Sequence, residues 1–84
     1  MVKVWLFYIV RCKDKSLYSG ITTDLSHRIE AHNKGNGAKY TSGRRPVALV
    51  YSERMADESA ARRREFEVKR WPKPKKEELI TSSN

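Results

Sequence analysis

The apolar run from Val4 to Val10, "VWLFYIV", constrains this chain more than any other stretch. Its β-branched and aromatic residues favour a strand, and without polar alternation neither face of that strand can be left to water. A chain of 84 residues with 38% hydrophobic content supports one modest core and no second. The run must therefore be the central strand of a small sheet, covered on both sides. It is far too short to cross a bilayer, and the Arg11, Cys12, Lys13 and Asp14 that follow do not make a signal-peptidase site. The single cysteine, Cys12, has no internal partner, and no Cys/His spacing suits zinc. These features predict a cytoplasmic protein.

The rest of the chain fits around that strand. "KDKS" is a turn and "LYSGI" a second strand, making an antiparallel hairpin. Thr23 or Asp24 caps a helix that ends near Asn33, where the glycine and asparagine loop "NKGNGA" begins. A basic loop, "KYTSGRRP", leads to a third strand in "PVALVYSE". A second helix runs from Asp57 to about Trp71 and is halted by Pro72 and Pro74, and "KKEELI" makes a short last helix. The prediction is an α+β fold: a small three-stranded antiparallel sheet flanked by helices, in the order β-β-α-β-α-α. Residues 1–80 form the single domain and 81–84 a frayed tail.

Two features are costly for so small a core. In the first helix Leu25, Arg28, Ile29 and His32 fall at i, i+3, i+4 and i+7, so an arginine and a histidine share the inward stripe. A buried guanidinium needs an anion, which is either an internal carboxylate or a bound phosphate. In the first strand Tyr8 lies on the face of Leu6 and Val10, where a core tyrosine with a satisfied hydroxyl is the simplest account. Tyr18 precedes Ser19 and Gly20, and a glycine inside a strand marks either a close approach or a bulge. In the second helix Ala61, Val68 and Trp71 point one way, with Glu65 and Glu67 on opposite sides of that stripe. Periodicity does not choose between them, and pairing with Arg62, Arg63, Arg64 and Lys69 on a solvated face accounts for both.

Charge narrows the partner. Eighteen Lys and Arg against ten Asp and Glu give a net charge of +8, which in a folded chain points to nucleic acid first and an acidic membrane second. The loop with Lys39, Tyr40, Arg44 and Arg45 interleaves cations with an aromatic ring, as a contact for a phosphate backbone does. Lys73, Lys75 and Lys76 read equally well as solubilising charge.

Leu6-Phe7-Tyr8, Tyr18-Ser19-Gly20, then Asp24-Leu25 and Arg28 resemble the GIY-YIG nuclease family, most of all its small stand-alone bacterial members. The likeness continues through "KYTSGRRPVALVY" and "AARRREFEVK" and covers nearly the whole chain. Leu6 and Ser19 replace the usual Gly and Ile, and Ile21 stands where the excision-repair branch carries a lysine.

The resemblance implies a Mg²⁺-dependent endonuclease that hydrolyses DNA, with Mn²⁺ as an alternative ion. Its catalytic residues would be Tyr8, Tyr18, Arg28, His32 and the metal-binding Glu65, and Lys39, Tyr40, Arg44, Arg45 and Lys69 would contact nucleic acid. Tyr8 would take a proton from water with His32 as its relay, Arg28 and Tyr18 would hold the phosphate, and Glu65 would hold the ion. A module retaining the fold but only binding nucleic acid is the alternative. With no helix-turn-helix or zinc finger, recognition would be of backbone or shape, unless a separate targeting protein takes part.

Overall fold

The computed structural model describes residues 3–82. The apolar run forms β1 (Trp5–Arg11), which pairs antiparallel with β2 (Leu17–Thr22) on one side and β3 (Ala48–Met55) on the other. The strand order is β2-β1-β3, so the run predicted to be central is central. Successive side chains of β1 face opposite sides, and each side has its own core. Phe7 and Ile9 pack with Val68 and Ile80, while Tyr8 and Val10 pack with Cys12 and Val47. All four β1 residues are fully buried.

The helices follow from local capping. α1 (Leu25–Asn33) starts at Asp24, whose carboxylate accepts from the amide of His27 at 3.1 Å, and lays Leu25 and Ile29 on the Tyr8 side. α3 (Glu58–Lys69) starts at Asp57, which accepts from the Ala60 amide at 2.8 Å. It supplies Ala61 and Val68 to the buried interior, and Trp71 just beyond it packs on the Phe7 side.

The structure departs from the sequence expectation at three places. Within the basic loop, Lys39–Ser42 close one helical turn, α2, whose Thr41 is fully buried. The last helix, α4 (Lys73–Ser82), is longer than "KKEELI". Pro72 does halt α3, but its carbonyl then accepts from Lys75 at 3.1 Å and from Lys76 at 3.3 Å to open α4, and Pro74 sits in the first turn where a missing N–H costs nothing. Thr81 and Ser82 consequently belong to α4, and residues 83 and 84 lie outside the described residues. Arg11 ties the end of β1 to α4 through two bonds to Glu77, at 2.6 and 2.7 Å. No helix among the described residues is long and apolar enough to cross a membrane.

Candidate active site

Register places the two tyrosines together. Tyr8 stands opposite Gly20 and Tyr18 opposite Val10, so both rings rise from one face of the hairpin as a diagonal pair. Gly20 is needed for a close approach: a Cβ there would lie 2.5 Å from the Tyr8 hydroxyl oxygen and 2.7 Å from Cζ. The hairpin thus leaves a slot into which the Tyr8 ring lies down.

α1 closes over that slot. Arg28 donates from Nε to the Tyr8 hydroxyl at 3.2 Å, and the same hydroxyl lies 2.8 Å from His32 Nε2. His32 is fully buried with Tyr8 and Tyr18 both edge-on to its ring, at centroid distances of 6.0 and 5.4 Å. Its other nitrogen, Nδ1, lies 2.8 Å from Thr41 Oγ1 of α2. Gly37 leaves room on that side, since a Cβ there would stand 2.3 Å from Nδ1. The neighbouring Asn33 grips Val47 in both directions, accepting from its amide at 2.7 Å and donating to its carbonyl at 3.1 Å. This clasp pins the end of α1 to the chain entering β3.

The electrostatics follow from burial and one cation. Burial raises the Tyr8 pKa above its ordinary value, the hydrogen bond and charge of Arg28 pull it back, and Tyr18 and Glu65 add small upward pushes. Burial lowers the His32 pKa, and the positive charge of Arg28 lowers it further. A neutral phenol therefore faces a neutral imidazole at pH 7.

The helical ambiguity in α3 resolves by position. Glu65 is near enough to act on the Tyr8 hydroxyl and pairs with Lys69 at 3.2 Å. Glu67 pairs with Arg64 at 2.6 Å and lines depressions with Phe66, Arg70 and Trp71 and with Met55 and Arg63. Arg28 and Glu65 do not pair with each other, so the inward arginine is not neutralised by the carboxylate available to it. Lys69 also lies 5.3 Å from the centre of the Tyr18 ring.

Of the nucleic-acid candidates, Tyr40 stacks on Tyr18 at 5.8 Å, with the Arg44 guanidinium 4.0 Å over its ring. Arg44 is otherwise held by Asp14 at 3.1 Å and by the Tyr40 carbonyl at 2.8 Å. Lys39 and Arg45 remain exposed on the outside of the loop, Arg45 donating to the Ser42 carbonyl at 2.8 Å. Beside Tyr40 opens a depression of about 290 Å³ lined also by Asp14, Ser16, Leu17, Lys73 and Lys76. The sequence reading missed Thr41 and Gly37. The signal that finds them is the demand a buried histidine makes for a partner at each nitrogen.

A tyrosine from each strand of a hairpin is thus joined by an arginine and a histidine from the helix packed on it, with a glutamate of a later helix nearby. The family model for the GIY-YIG catalytic domain matches residues 4–78, and the chain belongs to the GIY-YIG family. It is 53% identical over 73 residues to the UPF0213 protein SH2523 of Staphylococcus haemolyticus (strain JCSC1435), covering 87% of this chain and 89% of that protein. A UPF0213 protein of Staphylococcus aureus (strain Mu3) is 52% identical over the same shares. Among solved structures, the solution NMR structure of the UPF0213 protein BH0048 from Bacillus halodurans superposes with a TM-score of 0.60 at 45% identity, over 93% of this chain and 83% of that one. The E. faecalis protein EF2693 gives a TM-score of 0.66 at 36% identity, over 96% of this chain and 86% of that one. The fold and the small stand-alone bacterial branch are thereby shown.

Proposed function

We propose that the protein is a Mg²⁺-dependent endonuclease that hydrolyses DNA phosphodiester bonds, recognising backbone and shape. The observation that carries this reading is the bond from Arg28 to a neutral phenol. A half-buried guanidinium is far better matched to an anion, and the two oxygens of a phosphate match its planar fork. A phosphate arriving beside Tyr18 would meet the remaining N–H donors of the Arg28 fork while Nε stays on Tyr8.

Glu65 suits a hard divalent cation as a single carboxylate ligand. Among the described residues no group of three or more acidic, His or Cys side chains could hold a metal, so water and phosphate oxygens would complete the shell, as Mg²⁺ prefers. When bound, the ion supplies Lewis-acid stabilisation of charge on the phosphoryl and departing 3′ oxygens. Mn²⁺ fits the same donor set.

The chain's own residues handle the proton. Tyr8 passes its phenolic proton to His32, the phenolate oxygen takes a proton from water, and the oxygen of that water bonds to phosphorus as the P–O3′ bond breaks. His32 returns its proton to solvent, and the 3′ oxygen is protonated as it departs. Burial opposes the first transfer in the free protein, and the charge of Arg28 favours the phenolate it leaves while disfavouring the imidazolium it makes.

Tyr8→Phe, Arg28→Ala and Glu65→Ala are each expected to lower Mg²⁺-dependent cleavage by at least about 100-fold with far-UV circular dichroism unchanged. A panel of nicked, flapped, branched and single-stranded DNA left intact by the wild type with Mg²⁺ or Mn²⁺ would overturn the proposal. The complete burial of Tyr8 favours a second reading, a binding module that retains the fold. In that case affinity falls steeply with salt, survives Glu65→Ala and is never accompanied by cleavage.

A further inference from the structure

The geometry points to Thr41 as the positioning residue that sets which nitrogen of His32 can receive the Tyr8 proton. A threonine hydroxyl carries one proton, and a carbonyl can only accept. Thr41 Oγ1 donates to the Ala38 carbonyl at 3.0 Å, so toward His32 it presents a lone pair. The proton between them therefore sits on Nδ1, and Nε2 is left bare, 2.8 Å from the Tyr8 hydroxyl. Tyr8 in turn must donate to Nε2, because its oxygen already accepts from Arg28.

The result is a chain in which every donor points the same way: Arg28 to Tyr8, Tyr8 to His32, His32 to Thr41, Thr41 to the Ala38 carbonyl. Such alignment polarises each bond along the line. When the Tyr8 proton moves to Nε2, the positive imidazolium keeps both of its N–H groups bonded and Arg28 stays on the phenolate oxygen. With the opposite tautomer a proton would already occupy Nε2, Tyr8 would face two donors, and its own proton would have no acceptor. Thr41 touches no reacting atom. It acts through His32 alone.

The kinetic part of this inference rests on the proposed nuclease activity; the tautomer part does not. The full chain labelled with ¹⁵N-histidine is examined at neutral pH by long-range ¹H–¹⁵N correlation. His32 is expected to show a protonated Nδ1 and a bare Nε2, and a protonated Nε2 in the wild type would overturn the proposal without any variant. Thr41→Val should move the His32 proton to Nε2, and Thr41→Ser should keep it on Nδ1. Retention of Nδ1–H in Thr41→Val would show that Thr41 does not set the tautomer. Should Thr41→Val fail to fold, the wild type and Thr41→Ser decide the matter.

In cleavage assays Thr41→Val should lower kcat by at least about 100-fold with KM unchanged and Thr41→Ser should recover it, since a wrong histidine tautomer in a catalytic triad costs about 10⁴-fold. A rise in KM at constant kcat would refute the role. If the wild type cleaves nothing, the nuclease reading fails and the tautomer measurement still stands or falls alone.

Discussion

Gly20→Ala tests the slot on which the site depends. The new methyl group would stand 2.5 Å from the Tyr8 hydroxyl oxygen, 2.7 Å from Cζ and 3.0 Å from Cε2. The far end of a flexible side chain would yield cheaply. Tyr8 cannot, because its ring is fully buried and its hydroxyl is held at 2.8 Å from His32 and 3.2 Å from Arg28. Overpacking of this kind costs about 1–3 kcal/mol, and disturbing two hydrogen bonds adds about 1 kcal/mol each. The better strand propensity of alanine returns about 0.5–1 kcal/mol. The net loss is about 2–4 kcal/mol, which in a domain of this size lowers Tm by roughly 10 °C or more. Urea unfolding followed by tryptophan fluorescence measures it directly. Gly43→Ala is the control: nothing lies within 4 Å of a Cβ built at Gly43, and the residue has φ of −89°, so stability should stay within about 0.5 kcal/mol. If the two variants have the same urea midpoint, Tyr8 does not lie against Gly20 and the site is not assembled as described.

Further tests address single groups. The hydroxyl of Ser19, 3% exposed, has no hydrogen-bond partner, so Ser19→Ala should raise stability by about 1 kcal/mol; a fall in the urea midpoint would refute its being unsatisfied. His32 has a lowered pKa, so unfolding at acid pH takes up a proton that the folded chain refuses. Its contribution is full above the unfolded value of about 6.5 and is lost as pH falls below that, by up to about 1.4 kcal/mol per pH unit. His32→Gln should remove that part of the pH slope between pH 6.5 and 5, and an unchanged slope would show that His32 ionises freely in the fold.

Much of the architecture was legible because the signals were local and redundant. A continuous apolar run demanded a central strand, and Asp24 and Asp57 sit where helix amides need acceptors. The inward arginine and histidine were visible as a conflict between helical period and residue type. Less visible was anything created by tertiary contact. α2 spans a single turn with no periodicity to display, and its Thr41 is buried because His32 packs against it. The choice between Glu65 and Glu67 depended on how α3 rotates about its axis, which Val68 and Ala61 alone leave loose. The start of α4 is hidden in the sequence because Pro72 and Pro74 signal a stop, whereas in a first turn proline is permitted.

Because neighbours along β1 serve opposite sides, the greasy interior and the Tyr8 phenol are interleaved in one strand. Since β3 holds β1 in register, loss or gain of a single residue at the hairpin turn would turn β2 over instead, taking Tyr18 away from His32 and Gly20 from Tyr8. Length variation in that turn should thus be tolerated only in steps of two, and the loop at Asn36 is held as closely, because Gly37 lies against His32.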